Sequence, residues 1–317
     1  MGTQPRTVGE VGEFGLIAEL TAGFVAGSGV LLGPGDDAAM IAAPDGRVVA
    51  STDLLAEGVH FRRDWSSATD IGHKAAAANL ADIAAMGAVP TALLVGLAVP
   101  PDLPVDWAVD LAAGMAAEAA LVGATVVGGD VISADRVVVA VTALGDLRGG
   151  PALTRSGARP GDVVAVNGRL GWSAVGLALL MLGRADDHPD VVDAHRRPTP
   201  PYAAGPEAAR LGATSLIDVS DGLLAECGHL ATASQVAIDL DADALVPDAV
   251  LRAAAVTVGH DLLAAVLTGG EDHALLGTFP DASALTADWR LIGRVTSGAG
   301  VTVDGAPWDG GAGWRHF

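Results

Sequence analysis

The fold is indicated first by NLADIAAMGAVPTALLVGLAV, residues 79–99. Its first part continues an alanine-rich segment that begins at Ala68, and Gly87 stands where a helix C-terminal cap is expected. The apolar run that follows is too short and too interrupted by proline to span a bilayer, so it predicts a buried strand over 91–98. A helix over 104–122 comes next, and this alternation is typical of an α/β domain.

The 317 residues are enough for two domains of ordinary size. Leu147–Pro160 contains three glycines and two prolines among polar residues, which predicts a boundary there, with domains over 1–148 and 149–317. The other predicted helices cover 9–25, 171–182, 205–211, 220–233, 247–256 and 259–267. The other predicted strands cover 30–32, 39–42, 47–51, 124–128, 136–145, 162–167, 215–218, 236–240, 274–279 and 290–296.

Composition limits the possible functions. Half of the residues are hydrophobic and 18% are charged, which is typical of an ordered globular protein. Only 4% are aromatic, so the core must rely on small aliphatic side chains and close contacts between elements. The net charge of −20 argues against a nucleic-acid partner, because phosphate binding requires a basic face.

The N-terminus has no basic segment followed by an apolar stretch, so we expect no secretory signal, no membrane association and a cytoplasmic location. Cys227 is the sole cysteine, which excludes an intrachain disulfide and fits a reducing compartment. A structural role for this thiol is favoured over a nucleophilic one, since free cysteines are usually buried.

Six short acidic clusters stand beside Gly, Ala or Ser and together predict metal binding. They are GPGDDAA (33–39), STDLLAEGVHF (51–61), NLADIAAMGA (79–88), VGGD (127–130), VSDGLL (219–224) and TGGEDH (268–273). Oxygen ligands of this kind suit Mg²⁺, which is usually held by one or two carboxylates plus substrate phosphates. Because Lys74 is the only lysine, bridging divalent ions are the expected means of neutralising a polyphosphate.

Each cluster in the first half has a simpler alternative. Asp36 and Asp37 follow a Gly-Pro-Gly turn, and the alternative is an ordinary Asp-containing turn. Thr52 and Asp53 end a predicted strand, where α/β proteins commonly present ligand-binding groups, and Ser51 adds a hydroxyl oxygen. Helix capping by these side chains is the alternative there.

The remaining carboxylates follow the same pattern. Asp82 is predicted on a helix, with a solvated helix face as the alternative, and Gly128–Asp130 ends a strand. Asp218 closes a strand, while Ser220 and Asp221 open a helix whose N-terminus would favour phosphate. Capping alone explains Ser220 but not Asp218. The chain has no GxxxxGK[ST] motif, no protein-kinase motif set and no HExxH or paired CxxC for zinc.

Taken in order, the motifs resemble those of the thiamine-monophosphate kinase family, within the superfamily that includes aminoimidazole ribonucleotide synthetase. They are GPGDDAA, STD followed by EGVHF, ANLADIAAMGA, GGD, LTRSGARPGD, DVSDGL and GGED, and the resemblance runs from about Gly9 to Phe317. Two positions depart from the family. Ala81 stands where Ser is more frequent before the helical Asp, and His273 stands where Tyr more often follows GGED.

The resemblance implies an α/β (α+β) fold with two domains. The N-terminal domain would have a mixed sheet that pairs into a barrel with a second subunit, and the C-terminal α/β sandwich-like domain would close the nucleotide and substrate cleft. A homodimer is therefore expected. The implied reaction is direct in-line transfer of the γ-phosphoryl group of ATP to thiamine monophosphate, assisted by several Mg²⁺ ions. No covalent nucleophile or general base is expected, because the attacking phosphate oxygen is already anionic.

The resemblance also implies roles for particular residues. The implied Mg²⁺ ligands are Asp36, Ser51, Thr52, Asp53, Asp82, Asp130, Asp218 and Asp221. ATP would contact Gly129, Asp130, Arg155 and Ser220, and the substrate would contact His60, Glu271 and Trp314. The alternatives are a surface charge for Arg155, a packed strand histidine for His60, a simple turn for Glu271 and a C-terminal anchor for Trp314. Phe317 is a less favoured substitute for Trp314 in stacking on the substrate.

Two kinds of rival function stay open. One is another ATP-dependent member of the superfamily, but the Cys and Lys expected near the N-terminus of a selenophosphate synthetase are absent. The C-terminal Cys of the hydrogenase-maturation protein is absent too, since this chain ends in WRHF. The other is a non-enzymatic, Ca²⁺-stabilised dimerisation module, which no EF-hand spacing supports.

Overall fold

A computed structural model describes residues 6–25, 27–33, 38–310 and 313. The chain divides into two compact units. The first contains the residues up to Ile83 together with Val89–Arg148, and the second contains Ala84–Ala88 together with the residues from Gly149 onward.

The first unit is built on a four-stranded mixed sheet. Its elements are α1 (Val8–Thr21), β1 (Val30–Leu32), β2 (Met40–Ile41), β3 (Val49–Ala56), α2 (Ala68–Ala85, whose last two residues belong to the second unit), β4 (Val89–Val99), α3 (Val105–Leu121), β5 (Thr125–Ser133) and β6 (Val138–Asp146). The strand order is β3-β6-β4-β5, in which only β4 and β5 are parallel. Strands β1 and β2 form a separate antiparallel pair.

The two faces of this sheet differ because successive side chains of a strand point to opposite sides. On one face, Val139 and Val141 of β6 are fully buried. On the other face, Leu54, Leu94 and Ile132 leave 56%, 37% and 58% of their surface exposed. The first unit therefore has one covered face and one partly apolar face that the described helices leave exposed.

Helices α2 and α3 approach each other closely through two glycines. A Cβ atom at Gly72 would lie 2.0 Å from the Leu111 carbonyl oxygen, and one at Gly114 would lie 2.2 Å from that of Thr69. Any larger side chain would force the helices apart. This contact matches the expectation that small residues and close approach replace aromatic packing in the core.

The second unit is built on a six-stranded sheet. Its elements are β7 (Val163–Asn167), α4 (Trp172–Met181), α5 (Pro189–Arg196), α6 (Ala204–Arg210), β8 (Ser215–Asp218), α7 (Leu223–Ser234), β9 (Ala237–Leu240), α8 (Ala249–Val258), α9 (Leu262–Thr268), β10 (Leu275–Phe279), β11 (Arg290–Thr296) and β12 (Gly300–Val303). The strand order is β12-β9-β11-β7-β10-β8, with β12 and β9 parallel and the other pairs antiparallel.

Both faces of the second sheet are covered. Val164, Val166 and Ile217 join a core cluster that includes residues of α7 and α9. Their neighbours Ala165 and Leu216 point the other way, into a cluster with residues of α6. This alternation produces the predicted α/β sandwich-like domain and confirms the α/β fold class.

The structure corrects several predicted elements. β3 and β5 continue to Ala56 and Ser133, beyond their predicted ends, and α7 begins at Leu223 rather than at Ser220. The sequence patterns do not predict α5 or β12 at all.

Within the described part of the chain, no single helix combines the length and apolar composition needed to cross a bilayer. The pair α8 and α9 meets that criterion only together, and the two helices are bent by 107°.

Candidate active site

In the first unit, two predicted metal ligands meet where β3 packs against α2. The Ser51 hydroxyl donates a hydrogen bond to Asp82 Oδ2 at 2.6 Å. The backbone N–H of Asp53 donates to Asn79 Oδ1 at 2.9 Å. Asn79 is fully buried and its amide nitrogen also donates to the Ala75 carbonyl, so the Asn79 side chain is fixed at both ends.

The structure corrects the predicted position of Thr52 and Asp53. They lie inside β3 rather than at its end, because β6 supplies paired partners along β3 as far as Ala56. Thr52 points to the opposite face from Asp53, where its hydroxyl donates to the Val141 carbonyl at 2.9 Å. The Thr52 hydroxyl is therefore not brought together with Ser51 and Asp82.

Gly129 and Asp130 also lie inside a strand, which corrects the second predicted strand end. A Cβ atom at Gly129 would stand 1.9 Å from the Val95 carbonyl oxygen, so only glycine permits the close pairing of β5 with β4. Asp130 is exposed, and its Oδ1 accepts from the Val131 N–H at 3.0 Å. β3 and β5 form opposite edges of the sheet, about 14 Å apart across three strand spacings, so Asp130 does not join Asp53 within one chain.

Gly129 and Asp130 line an open, largely apolar cleft. Its other walls come from α1, α3 and β4, which include Ile17 and Met115, and from Phe24 after α1. The cleft thus places the Asp130 side chain and strand backbone beside apolar surface.

His60 follows β3 in a turn that its own ring stabilises. Its Nδ1 accepts from the Ala56 backbone N–H at 3.0 Å, so the proton of the neutral ring is on Nε2. Lys74, which is only 4% exposed, donates from Nζ to the His60 carbonyl at 3.2 Å. The single lysine of the chain therefore supports the turn that holds a predicted substrate contact.

In the second unit, Asp218 closes β8 as predicted. Ser220 and Asp221 stand in the turn before α7 and not in its first turn, because Gly222, with φ of 119°, is the N-terminal cap residue. A Cβ atom at Gly222 would lie 2.8 Å from the Thr268 carbonyl oxygen, so this turn requires glycine.

Two buried side chains that the sequence did not indicate hold this turn. His273 Nδ1 lies 3.1 Å from Asp218 Oδ2, and both side chains are 7% exposed. Glu226 Oε1 accepts from the Asp221 N–H at 3.2 Å and from the Ser220 hydroxyl at 3.3 Å. Burial, followed by the charge of Asp218, raises the pKa of Glu226 to about 7.

Arg155 lies in a loop fixed by the C-terminal residue of α7. The Ser234 hydroxyl donates to the Arg155 carbonyl at 3.1 Å and accepts from the Gly157 and Ala158 N–H groups. The charge of Arg155 lowers the pKa of Glu226, which opposes the effect of burial. The structure therefore brings Arg155 into the electrostatic surroundings of the Asp218–Asp221 turn.

The predicted ligands are of the type that binds a hard divalent cation. They do not form a complete coordination shell by themselves among the described residues. The predicted ligands offer oxygen atoms only, from carboxylates and hydroxyls, and one of them, Asp218, also contacts the His273 imidazole. Across residues 6–25, 27–33 and 38–310, no three His, Cys, Asp or Glu side chains are grouped to hold an ion by themselves. Mg²⁺ is usually bound by one or two carboxylates and completes its shell with water and substrate phosphate. Asp36, Trp314 and Phe317 lie outside the described residues.

Two family models match the chain. They are AIR synthase related protein, N-terminal domain, over residues 35–147, and AIR synthase related protein, C-terminal domain, over residues 159–305. Together with the two compact units, these matches define the class as the two-domain AIR synthase related proteins.

More specific similarity comes from individual proteins. Thiamine-monophosphate kinase of Mycobacterium tuberculosis is 50% identical over 319 residues, which cover 100% of this chain and 95% of that protein. The crystal structure of thiamine-monophosphate kinase from Stenotrophomonas maltophilia K279a matches with a TM-score of 0.80 and 36% identity, covering 88% of this chain and 92% of that one. The structure of AaThiL complexed with AMPPCP and TMP matches with a TM-score of 0.80 and 30% identity, covering 99% and 100%. The chain therefore belongs to the thiamine-monophosphate kinase family.

Proposed function

We propose that this chain catalyses the ATP-dependent phosphorylation of thiamine monophosphate to thiamine diphosphate. The observation that carries the proposal is the full-length, 50% identical match to a thiamine-monophosphate kinase. A structure with which it shares its fold over 99% of its length contains AMPPCP, an ATP analogue, and TMP.

The residues suit a direct transfer between two phosphates. The attacking oxygen of the acceptor is already anionic, so the protein has to position the reactants in line and reduce their repulsion. Cys227 is not suited to be a covalent intermediate, because it is fully buried and burial raises the pKa of its thiol. No general base is needed.

We further propose that the carboxylates bind Mg²⁺. When bound, Mg²⁺ supplies positive charge between the donor and acceptor phosphates. The proposed ligands are Asp36, Ser51, Asp53, Asp82, Asp130, Asp218 and Asp221, and the Thr52 hydroxyl, which points to the opposite face of the sheet from Ser51, is not among them. Ser51 has a second task in this arrangement, since its hydrogen bond orients the Asp82 carboxylate. His273 contacts the Asp218 carboxylate in the same way, whereas Asn79 holds Asp53 only through its backbone N–H.

Other residues are assigned to the two substrates. Gly129, Asp130, Arg155 and Ser220 are proposed to contact ATP, and the apolar cleft beside Gly129 suits the adenine ring. His60, Glu271 and Trp314 are proposed to contact thiamine monophosphate, with a ring nitrogen of His60 as a hydrogen-bond donor. The cytoplasmic location stays a prediction.

A homodimer is proposed from the uncovered face of the first sheet. Leu54, Leu94 and Ile132 expose apolar surface on that face, and water contact with such surface is unfavourable. Pairing of two such faces would bury them. A protein that sediments as a monomer at micromolar concentration would contradict the dimer without affecting the proposed reaction.

The reaction is tested by ADP formation in ATP and Mg²⁺, with and without thiamine monophosphate. We expect ADP only when the acceptor is present, with thiamine diphosphate formed in equal amount. No turnover with any phosphorylated acceptor would contradict the proposal and favour a non-enzymatic module. A labelled phosphoryl group found covalently on the protein would contradict direct transfer.

The metal assignment is tested by Ser51→Ala. The change removes one proposed ligand and one hydrogen bond to Asp82. The Mg²⁺ concentration for half-maximal activity should therefore rise about tenfold or more. Ser297→Ala, at an exposed turn, is the matched control and should leave the Mg²⁺ dependence unchanged. Equal Mg²⁺ dependence of both variants would refute the role of Ser51 as a ligand and as a support of Asp82.

A further inference from the structure

The segment Gly269–His273, between α9 and β10, has an uncommon backbone. Glu271 and His273 have φ of 63° and 52°, in the left-handed region that residues with a side chain rarely adopt. Such a conformation costs free energy and persists only where the surrounding structure imposes it. Asp272 lies between these two residues.

Backbone hydrogen bonds hold the segment against the Asp218–Asp221 turn. The Glu271 N–H donates to the Ser220 carbonyl at 2.7 Å, and the His273 N–H donates to the Val219 carbonyl at 2.9 Å. A Cβ atom at Gly270 would lie 2.6 Å from the Ser220 carbonyl oxygen, so glycine is required for this approach. The segment is thereby fixed beside two proposed metal ligands.

Asp272 anchors the segment on its other side. Its two carboxylate oxygens accept from the Gly171 N–H at 2.5 Å and the Ser173 N–H at 2.8 Å, at the N-terminus of α4. The residue is only 9% exposed. Because these N–H groups have no partner within the helix, the carboxylate satisfies them and interacts favourably with the helix dipole.

This anchor places the two neighbouring side chains in different surroundings. Glu271 Oε2 lies 3.7 Å from His195 Nδ1, and the same nitrogen is 2.9 Å from the Ser173 hydroxyl. Ser173 thus contacts both Asp272 and His195. On the other side, His273 Nδ1 contacts Asp218 Oδ2 at 3.1 Å.

We propose that Asp272 is a positioning residue for the reaction, which acts through Glu271 on the acceptor and through His273 on the Asp218 carboxylate. It holds both neighbours in the left-handed conformation by tying the segment between them to α4. This inference rests on the proposed function, because it takes Glu271 as a contact of thiamine monophosphate. Asp272 itself touches neither substrate in this account.

The test is Asp272→Asn, which keeps the size of the side chain but leaves one acceptor oxygen for two N–H groups. We expect the KM for thiamine monophosphate to rise at least tenfold. In the double variant with Glu271→Gln, the KM should be no higher than in Glu271→Gln alone, since both changes remove the same contact. Mn²⁺ binding, followed by electron paramagnetic resonance, should weaken as the Asp218 carboxylate loses its orientation.

The matched control is Asp248→Ala, because Asp248 caps α8 through Oδ1, which accepts from the Val250 and Leu251 N–H groups at 2.9 Å, and alanine removes this cap. Both variants should lower the melting temperature, but the control should leave the KM and Mn²⁺ binding unchanged. If Asp272→Asn lowers only the melting temperature, or if its effect on KM multiplies with that of Glu271→Gln, the positioning role is refuted. If Asp272→Asn does not fold, the same measurements are made on Asp272→Ser, which retains one oxygen acceptor.

A wrong proposed function and a wrong role for Asp272 would give different results. The unaltered chain would then form no ADP in response to thiamine monophosphate. An active chain in which Asp272→Asn behaves like its control would refute only the role of Asp272.

Discussion

Replacement of Asn79 by alanine tests whether the buried support of β3 controls the metal site. The change removes the acceptor for the Asp53 N–H, which lies on an edge strand and donates to this side chain. Leaving a part-buried donor without an acceptor costs about 1–3 kcal/mol. A loss of about 2 kcal/mol corresponds to a fall in melting temperature of roughly 4–8 °C for a domain of this size.

The effect on activity is separate from the effect on stability. If Asp53 binds Mg²⁺, freeing its backbone should raise the Mg²⁺ concentration for half-maximal activity by about 10- to 100-fold. Calorimetry measures the first effect, and ADP formation at varied Mg²⁺ measures the second. Leu80→Ala is the control, because Leu80 is fully buried on the same helix and its truncation costs about 2–5 kcal/mol.

The two variants should therefore be alike in stability and different in metal dependence. If Asn79→Ala is destabilised like Leu80→Ala but keeps the Mg²⁺ dependence of the unaltered chain, then Asn79 supports the fold only. In that case the hydrogen bond from the Asp53 N–H to Asn79 would no longer support the assignment of Asp53 as a metal ligand.

The other predictions concern a strand contact and a pH effect. Gly129→Ala should prevent stable folding of the first unit, since its Cβ would lie 1.9 Å from the Val95 carbonyl oxygen. The control is Gly228→Ala, in open space on α7, which should raise the free energy of unfolding by about 1 kcal/mol. A Gly129→Ala protein that melts cooperatively would contradict the requirement for glycine where β5 pairs with β4. Burial raises the pKa of Asp272 to about 7 from its ordinary 3.8, and outweighs the Ser173 and Gly171 N–H groups, which lower it. The folded state therefore binds this proton more tightly than the unfolded state. The resulting contribution to stability is complete below about pH 4 and is lost as the pH rises to 7. In urea titrations, the stability advantage of the unaltered chain over Asp272→Asn should therefore be larger at pH 5 than at pH 8, and an advantage that does not change with pH would refute the raised pKa.

The sequence predicts the elements well where local signals and tertiary pairing agree. β8 and β11 have their predicted bounds, because turn or bend residues, Gly212 and Gly298, stand close to the start of β8 and the end of β11. β3 and β5 are longer than predicted, since polar or glycine residues such as Asp53 and Gly129 resemble strand ends. The strands continue there because β6 and β4 supply hydrogen-bond partners, and pairing outweighs local propensity.

The sequence predicts the acidic residues of the candidate site but not the residues that hold them in place. The motifs indicate Asp53, Asp82 and Asp218, but not that Asn79 or His273 holds them, because the supporting contacts join residues 26 and 55 positions apart. One local signal is present in the sequence. Asn79 precedes Asp82 by three residues on a helix, so both face the same side and meet the same strand.

The residues that contact the proposed ligands explain how so acidic a chain can keep its carboxylates oriented for metal binding. Like charges repel, and a cluster of several carboxylates without a cation would raise their pKa values or separate them. Among the described residues, three proposed ligands have different supporting partners: a hydroxyl for Asp82, an imidazole for Asp218, and an amide that binds the backbone of Asp53. Near Asp218 the repulsion remains, since its charge contributes to the raised pKa of Glu226. Neutral or basic partners orient these groups without adding negative charge. A divalent ion held by one or two such carboxylates must complete its shell with phosphate oxygens, so the arrangement favours the ion that arrives with the nucleotide over the ion alone.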